Sequence, residues 1–154
     1  MSSSRAGRIC PNFAELPLGH GFAYSGHPVS AAVGLAVLKL YRNGLIENAH
    51  AAGAYFQRRL DGFRPHPLVG DVRAKGLLAA IELVSDKRAK AKFAPETGIG
   101  RRLAEAGYEN GLIFRAFADG TLGFAPPICI TTDEIDVLID RLASTLEQIT
   151  NIKG

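Results

Sequence analysis

Residues Gly19–Tyr41 read GHGFAYSGHPVSAAVGLAVLKLY, and this stretch decides how the rest of the chain can fold. Its first half is rich in glycine, which adopts backbone conformations that other residues resist, and so predicts a tight loop. Pro28 suits the first position of a helix, which puts His27 at the N-cap. A loop that leads into a helix N-terminus can hold an anion, because free backbone N–H groups point outward there. The stretch therefore predicts an anion-binding loop followed by a helix.

Helix 28–43 is predicted to carry apolar side chains on most of its surface. One face has apolar residues at helical spacing: Val29, Ala32, Val33, Ala36, Val37 and Leu40. Much of the opposite side is filled by Ala31, Gly34 and Leu35. A helix with so few polar positions is usually buried in a larger protein. We therefore expect this chain to be part of a longer polypeptide.

Composition and charge are those of an ordinary globular domain. The chain has 154 residues, of which 47% are hydrophobic and 21% are charged. The formal net charge is +3, but basic residues occur as short pairs such as Arg58–Arg59, which favours solvated surface over a nucleic-acid-binding face. No apolar run reaches the ~18 residues of a membrane helix, and residues 1–17 lack the apolar segment of a signal peptide. Cys10 and Cys129 show no metal-type spacing. We expect a reduced, cytoplasmic protein without nucleic-acid or membrane partners.

The remaining sequence predicts an α+β domain, with helices packed on a small, mainly antiparallel sheet. The predicted elements are a helix at 45–60, strands at 69–74 and 77–84, a helix at 97–109, strands at 112–117 and 121–127, and a final helix that begins near residue 131. The charged segment 85–95 is expected to be an exposed loop. The fold class follows from pairs of strands with helices packed on one face, and the sequence has no internal repeat.

Two local signals fix the C-terminal part of this domain. Asp119–Gly120 lies between two apolar runs, which indicates a hairpin turn. Thr131 and Glu134 have the spacing of a capping box at a helix N-terminus. The helix that follows has an apolar stripe over four turns: Ile135, Leu138, Ile139, Leu142, Leu146 and Ile149.

Familiar catalytic motifs are absent from the sequence. The loop glycines do not have the spacing of a dinucleotide fingerprint, and there is no P-loop. Ser25 lacks the glycine two residues earlier that a nucleophile elbow needs. The histidines at 20, 27, 50 and 66 do not cluster like metal ligands. A hydrolase that uses Ser25 and His27 remains a weak alternative, since His27 is better explained as a capping or packing residue.

Arg115 is the other candidate functional residue, because it lies inside the apolar segment LIFRAF at 112–117. A guanidinium on a buried strand needs an anionic partner. Arginine can bind a carboxylate with two parallel hydrogen bonds. Two alternatives stay open for this residue: an edge-strand arginine that faces water, or an arginine paired with an internal acid.

Three blocks of the sequence together resemble a known family. GFAYSGHPVSAAVGLAVLKL is similar to the Thr-Tyr-Ser-Gly-His-Pro block of class III, fold-type I, pyridoxal-phosphate-dependent aminotransferases. LVGDVRAKGLLAAIELV resembles their Val-Gly-Asp-Val-Arg-Gly strand pair, and GLIFRAF with LGFAPPICITTDEID resembles their C-terminal strand, Ala-Pro-Pro turn and last helix. The resemblance runs from residue 18 to residue 148. It is closest to the omega-amino acid:pyruvate branch.

The resemblance implies a domain organisation and a missing part. Residues 1–18 would be a loose N-terminal tail, 19–44 the end of the large domain with its phosphate-contacting loop and linking helix, and 45–154 the C-terminal small domain. In the family, the catalytic lysine precedes the block that begins at residue 19. None of the lysines has a matching sequence context: Lys39, Lys75, Lys87, Lys90, Lys92 and Lys153. The resemblance thus implies a C-terminal portion of an aminotransferase that is inactive alone.

The resemblance also implies site residues and chemistry. The loop at Phe22–Ala23 would reach across a homodimer and contact the phosphate of pyridoxal phosphate in the other subunit. Ala23 stands where a threonine is usual, so backbone N–H groups would make that contact. Arg115 matches the arginine that binds the substrate's carboxylate, and Ala74 replaces a usual glycine. The implied activity moves an amino group between an amine or amino acid and a keto acid such as pyruvate.

One rival function belongs to a different class of protein. The chain could be a stand-alone dimerisation or binding module that has the small-domain fold of an aminotransferase. Such a module should have polar substitutions on the surface of helix 28–43, and the sequence has few. The apolar surface therefore favours the aminotransferase portion over the free-standing module.

Overall fold

The computed structural model describes residue 21 and residues 23–151, without the side chain of residue 151. The predicted tail at 1–18 and Phe22 lie outside the described residues. Contacts divide the chain into two compact units, one that ends at Lys39 and one that begins at Leu40. The domain limits at residues 18 and 44 remain a prediction.

The first unit contains a turn at 23–26 and helix α1, Pro28–Leu40. His27 is the N-cap, as predicted. Its carbonyl accepts a hydrogen bond from the Ala31 N–H at 3.0 Å, and its ring Nδ1 accepts one from the Ser30 N–H at 3.3 Å. The ring therefore acts like the short polar side chains that usually satisfy the first free N–H groups of a helix.

Helix α1 is exposed along its whole length. Within the described part of the chain, none of its residues is buried. Six large apolar side chains are exposed: Val29, Val33, Leu35, Val37, Leu38 and Leu40. That this helix is buried in a longer polypeptide stays a prediction.

Helix α2, Ile46–Asp61, follows a wide turn at Tyr41–Leu45. Gly44 ends the preceding helix, as predicted, because its φ of 101° is one that glycine adopts without strain. By length and composition alone, Pro28–Asp61 could cross a membrane. The break at Gly44 leaves α1 with 13 residues, or about 20 Å of helix against a hydrocarbon core of ~30 Å. Helix α1 by itself is therefore too short for that role.

The sheet has four strands in the order β1-β2-β4-β3, and every neighbouring pair is antiparallel. The strands are β1 Val69–Lys75, β2 Leu78–Leu83, β3 Arg115–Ala116 and β4 Thr121–Phe124. The hairpin predicted at Asp119–Gly120 is confirmed. Its turn is closed by a hydrogen bond from the Thr121 N–H to the Asp119 carboxylate at 3.0 Å. The sheet confirms the predicted α+β class.

The strand predicted at 112–117 is wrong in length, because only Arg115–Ala116 pair as β3. The Leu112 N–H donates to the Gly107 carbonyl at 2.8 Å. Leu112 thus completes the C-terminal end of the preceding helix and does not pair with β4. The strand therefore begins only at Arg115, beyond the residues that complete the helix end.

Helices α3, Ile99–Glu109, and α4, Thr132–Asn151, complete the second unit. Helix α3 begins later than the predicted residue 97, because Pro95–Thr97 form a 3₁₀ turn and Gly98 has a φ of 55°. The capping box of α4 is confirmed. The Glu134 N–H donates to Thr131 Oγ1 at 3.2 Å, and the Thr131 N–H donates to the Glu134 carboxylate at 2.9 Å.

The core lies between one face of the sheet and helices α2, α3 and α4. Along β2, the side chains of Ala79, Ile81 and Leu83 are buried, whereas those of the alternate residues are not. The apolar stripe of α4 faces this core as predicted: Ile135, Ile139, Leu142, Leu146 and Ile149 are buried, and Leu138 is partly buried. These helices do not cover the opposite face of the sheet, the open face, which carries Arg73 and Arg115.

Helix α2 makes a close backbone contact with the β1–β2 hairpin. A Cβ atom added to Gly53 in α2 would lie 2.7 Å from the carbonyl carbon of Gly76 and 2.8 Å from its Cα. Only a residue without a side chain fits between the helix and this turn. The contact sets how closely α2 approaches the sheet.

Candidate functional site

A cavity of about 550 Å³ lies on the open face of the sheet. Three cationic side chains line it: Arg73 and Lys75 from β1, and Arg115 from β3. The strand register places Arg73, Ala80, Gly123 and Arg115 in one row across the four strands. Because the two central residues are small, the row forms a trough with an arginine on each side.

Arg115 is exposed, so the premise that it lies on a buried strand is wrong. The physical reason is its position: β3 is an edge strand, and Arg115 points to the open face. Its guanidinium stacks on the Phe117 ring, with 5.5 Å between Cζ and the ring centroid. Such a cation–π contact holds the guanidinium without neutralising its charge. Among residues 23–151, no carboxylate lies within ion-pair distance of Arg115, which favours the edge-strand alternative and removes the internal acid.

Arg73 differs from Arg115 because acids neutralise it. Its Nη1 lies 3.2 Å from Glu82 Oε2 and 3.5 Å from Asp71 Oδ2. Lys92 extends this row of ion pairs, with Nζ 3.6 Å from Glu82 Oε1 and 3.2 Å from Asp119 Oδ2. The acids of this part of the open face are therefore engaged by Arg73, which lines the cavity, and by Lys92, which is not among its lining residues.

The electrostatic effect of this row appears in two pKa values. The hydrogen bond to Asp119, followed by the charge of Glu82, raises the pKa of Lys92. The hydrogen bond from the Thr121 backbone N–H, with a smaller contribution from Lys92, lowers the pKa of the Asp119 carboxyl. Both shifts favour the charged forms of Lys92 and Asp119.

Lys75 is the third cation of the cavity. Its side chain is exposed, and within the described part of the chain it forms neither a hydrogen bond nor an ion pair. It lies two residues after Arg73 on β1, and therefore on the same face of the sheet. The cavity thus contains one neutralised arginine and two cations without an acidic partner among the residues described.

The loop predicted to hold a phosphate is described only in part. Phe22 lies outside the described residues, and Ala23 is exposed in the turn at 23–26. Pro28 has no N–H, and the Ser30 N–H is used by the His27 ring. The Val29 N–H is a further donor at this helix N-terminus, and neutral backbone N–H groups at such a position fit a phosphate. The residues present therefore fit the phosphate of pyridoxal phosphate, although with fewer donors than the sequence suggests.

The environment of the lysines does not fit covalent attachment of the cofactor. Every lysine in the described part of the chain is exposed: Lys39, Lys75, Lys87, Lys90 and Lys92. A lysine that forms a covalent bond with a carbonyl group is activated by desolvation or by a neighbouring cation, which lowers its pKa. The pKa of Lys92 moves in the opposite direction. The structure therefore offers no desolvated lysine among the residues described.

The His27 ring is engaged as a helix cap. Besides the Ser30 N–H, the Ser30 hydroxyl lies 3.2 Å from Nδ1, and the Tyr24 ring packs edge-on at 6.1 Å. These contacts account for His27 without a catalytic role. They support a capping role over a hydrolase that uses Ser25.

Reasoning from the sequence missed Lys75 and Phe117 as site residues. A signal for them exists: residues 73 and 75, like residues 115 and 117, are two apart and share a face if the segments are strands. The sequence could not show that β1 and β3 flank one trough, since this depends on the strand order. The turn at Ala23 and the cavity at Arg115 belong to different units and are described separately.

A known family and several known proteins are similar to this chain over most of its length. The class-III aminotransferase family matches residues 7–146. A diaminobutyrate–2-oxoglutarate transaminase of Halomonas elongata is 42% identical over 138 residues, which are 88% of this chain and 29% of that protein. A putrescine–pyruvate aminotransferase of Pseudomonas aeruginosa is 42% identical over 131 residues, 84% of this chain and 28% of that protein. The chain thus spans less than a third of the length of these relatives.

Solved structures agree with the sequence comparison. A thermostable (S)-enantioselective omega-transaminase from Thermomicrobium roseum matches with a TM-score of 0.82 and 41% identity, over 95% of this chain and 33% of that protein. The match includes the antiparallel sheet and its helices. The three sequence blocks, the fold and the matched range lead to one conclusion: this chain belongs to the class-III aminotransferase family, and it is similar to omega-transaminases and their relatives.

Proposed function

We propose that the chain is the C-terminal portion of an aminotransferase that moves an amino group between an amine or amino acid and a keto acid such as pyruvate. In this proposal Arg115 binds the carboxylate of the keto acid. One observation carries it: in a chain of this family, Arg115 lines a cavity and has no acidic partner among the residues described. A carboxylate is the group that such a guanidinium binds best.

The chain's own residues would position the substrate. Arg115 would donate two parallel hydrogen bonds to the acid, and Phe117 would hold the guanidinium in place. Fixing a reactant in this way lowers the entropic part of the barrier. Pyridoxal phosphate, when bound, supplies the electron sink for amino transfer. Since Arg115 is exposed at a sheet edge, it has room to turn aside for amines without a carboxylate.

The loop at Phe22–Ala23, which is far from Arg115 in the sequence, would hold the cofactor. Backbone N–H groups at Phe22 and Ala23 would contact the phosphate in the other subunit of a homodimer, in a cytoplasmic enzyme. The turn before α1 and the Val29 N–H at the start of the helix support this role. Replacing Ala23 with threonine would add a hydroxyl donor, and we expect it to tighten phosphate binding if the proposal is right.

The experiment for Arg115 compares two half-reactions in an enzyme that carries this chain as its C-terminal part. Arg115→Ala should lower the specificity constant for pyruvate by roughly ten- to a hundredfold, because a charge-assisted hydrogen bond to a carboxylate contributes about 1.5–3 kcal/mol. The half-reaction with an amine that has no carboxylate should change little. Arg115→Lys should restore only part of the loss, since an ammonium lacks the planar fork.

A matched control variant is available on α3. The Arg101 side chain is 82% exposed and lies outside the cavity, so Arg101→Ala should leave both half-reactions unchanged. Equal losses for pyruvate and for the amine in Arg115→Ala would show that Arg115 is structural. In that case the carboxylate site lies elsewhere.

We also propose that this chain alone lacks the catalytic lysine and does not transfer amino groups. The exposed state of the described lysines supports this. The test is an absorbance spectrum with pyridoxal phosphate, followed by borohydride reduction and peptide mapping. Weak labelling spread over several lysines is expected. Stoichiometric labelling of a single lysine would refute the proposal.

The alternative function is a stand-alone dimerisation or binding module with the same fold. The apolar surface of α1 favours the aminotransferase portion over a module that is free in solution, but a module that dimerises through α1 would also cover this surface, and such patches are rare on monomers. Sedimentation velocity at tens of micromolar, roughly where exposed apolar surface drives aggregation, separates the two. We expect polydisperse association, as for a portion of a larger enzyme. A discrete dimer would favour the module, and a well-behaved monomer would contradict the prediction that the chain associates.

A further inference from the structure

The loop at residues 85–92, which follows β2, contacts the turn at 62–68 between α2 and β1. We call this loop the strap. We propose that the strap is a pH-sensitive device: Lys87 attaches it to the turn while His66 is neutral, and the strap opens at this end when His66 binds a proton. Lys92 keeps the other end attached. This inference does not depend on the proposed function.

The ammonium group of Lys87 attaches one end of the strap. Lys87 Nζ donates hydrogen bonds to the carbonyl oxygens of Arg64 and His66, the latter at 3.1 Å. Hydrogen bonds from an ammonium are charge-assisted, so their strength depends on the charges around them. A new positive charge on the turn would therefore weaken this attachment.

The His66 ring supports the same turn. Its Nδ1 accepts a hydrogen bond from the Leu68 N–H at 3.2 Å. Leu68 is buried, and its carbonyl accepts the Val84 N–H at 2.8 Å, directly before the strap. A protonated imidazole has a hydrogen on both nitrogens and accepts no hydrogen bond, so the Leu68 N–H would lose this partner. Protonation of His66 therefore loosens the turn to which the strap is attached.

Protonation of His66 also places a second positive charge beside Lys87. Burial, and then the charge of Lys87, lower the pKa of His66, and Glu147 on α4 opposes this effect. Arg64, on the same turn, is paired with two acids. When the strap opens, the ring becomes more exposed and the Lys87 ammonium moves away, so the open form binds a proton more tightly. The open population should rise as the pH falls through ~6.5 and level off below the pKa of the closed form.

The other end of the strap is attached by a pair of charges that does not titrate near neutral pH. Lys92 Nζ lies 3.2 Å from Asp119 Oδ2 and 3.6 Å from Glu82 Oε1. The hydrogen bond to Asp119 raises the pKa of Lys92, and the Thr121 N–H lowers the pKa of Asp119. Both groups therefore stay charged between about pH 5.5 and pH 7.5, far from the usual values for lysine and aspartate.

Hydrogen bonds within the strap maintain its shape. The Ser85 N–H donates to the Ala91 carbonyl at 2.8 Å, and the Ala91 N–H donates to the Asp86 carbonyl at 3.0 Å. The Asp86 carboxylate accepts hydrogen bonds from the N–H groups of Arg88 and Ala89, at 2.7 and 2.9 Å. The strap can therefore open as one piece.

The test measures hydrogen exchange of single backbone N–H groups by NMR, on the 154-residue chain at a concentration below the onset of association. Opening exposes the N–H groups of Leu68 and Val84. We expect both to be less protected than that of Leu142 in the core, which exchanges when the whole domain unfolds. From about pH 7.5 to pH 5.5 their protection factors, corrected for the intrinsic effect of pH, should fall up to about tenfold, the limit for one proton one unit below ~6.5.

Variants assign the pH dependence to two side chains. His66→Asn keeps an acceptor for the Leu68 N–H but binds no proton, so protection should no longer change with pH. Lys87→Met should lower protection roughly two- to fivefold at neutral pH, because an exposed charged contact is weak. By reciprocity it should also raise the pKa of His66 in an NMR titration. His50→Asn is the matched control and should keep the dependence, since His50 is an exposed histidine on α2 outside the turn.

Three results would overturn the proposal. If Leu68 and Val84 are as protected as Leu142 in the parent chain, the strap opens only when the domain unfolds; this comparison needs no variant. If their protection falls equally in the parent and in His66→Asn, the pH acts through another group. If Lys87→Met changes neither the protection nor the pKa of His66, Lys87 does not attach the strap. None of these results bears on the proposed function.

Discussion

Gly53 allows a stability prediction that can be worked out from one contact. In Gly53→Ala the new methyl would lie 2.7 Å from the Gly76 carbonyl carbon and 2.8 Å from its Cα. Non-bonded carbon atoms prefer about 3.5–4.0 Å, so α2 and the β1–β2 turn must separate by roughly 1 Å. Both Gly76 atoms belong to the backbone, and no change of rotamer can relieve the contact. We therefore expect the substitution to destabilise the fold, although alanine is the better helix former.

The expected change in the free energy of unfolding is the cost of overpacking less the gain in helix propensity. Overpacking a close contact costs about 1–3 kcal/mol. The higher helix propensity of alanine offsets about 1 kcal/mol of this. The net decrease in the free energy of unfolding is thus up to about 2 kcal/mol. Ala54→Gly, at the exposed next residue, measures the propensity term alone and should cost about 1 kcal/mol.

The assay is urea denaturation followed by far-ultraviolet circular dichroism, at a protein concentration below the onset of association. A lower midpoint with an unchanged slope is expected for Gly53→Ala, because the denatured state keeps its compactness. If propensity alone governed this position, Gly53→Ala would raise the midpoint by as much as Ala54→Gly lowers it. A midpoint above that of the parent chain would refute the packing argument.

Three further predictions concern stability. Thr131→Ala removes a hydroxyl of the capping box and should cost about 1 kcal/mol in urea denaturation, with Thr131→Ser close to the parent. Leu142→Ala empties a fully buried site and should cost about 2–5 kcal/mol in the same assay. Burial and, secondarily, Lys87 lower the pKa of His66 below 6.5, so the unfolded chain binds a proton first as the pH falls. The free energy of unfolding should therefore decrease below about pH 6.5 and level off below the folded pKa, and His66→Asn should remove this dependence.

Local signals in the sequence predicted most elements correctly. The capping box at Thr131, the N-cap at His27 and the turn at Asp119–Gly120 depend on residues a few positions apart, which the sequence displays directly. The length of β3 and the start of α3 were predicted wrongly. Each depends on geometry that single-residue patterns do not encode, such as the hydrogen bond from Leu112 to Gly107.

The sequence was enough to single out Arg115 as a candidate site residue, but not to predict its exposure or the residues around it. Arg115 could be singled out from its apolar neighbours, and the family resemblance gave it a role that remains a prediction. Its burial was predicted wrongly because an apolar segment need not be buried: Ile113, two residues before it, is 84% exposed. That Lys75 and Arg115 line one cavity could not be predicted, since only the strand order brings these two distant segments to the same face of the sheet.

The alternation of buried and open residues on β1 has a consequence for how the chain can change over evolutionary time. Val72 is buried in the core, whereas Arg73 and Lys75 line the cavity. Exchanging one cavity residue for another leaves the core untouched, so ligand preference can drift without loss of folding. Insertion or deletion of a single residue in β1 would instead shift the register and turn both cations towards the helices. This strand should therefore tolerate substitutions at every second position and no change in length.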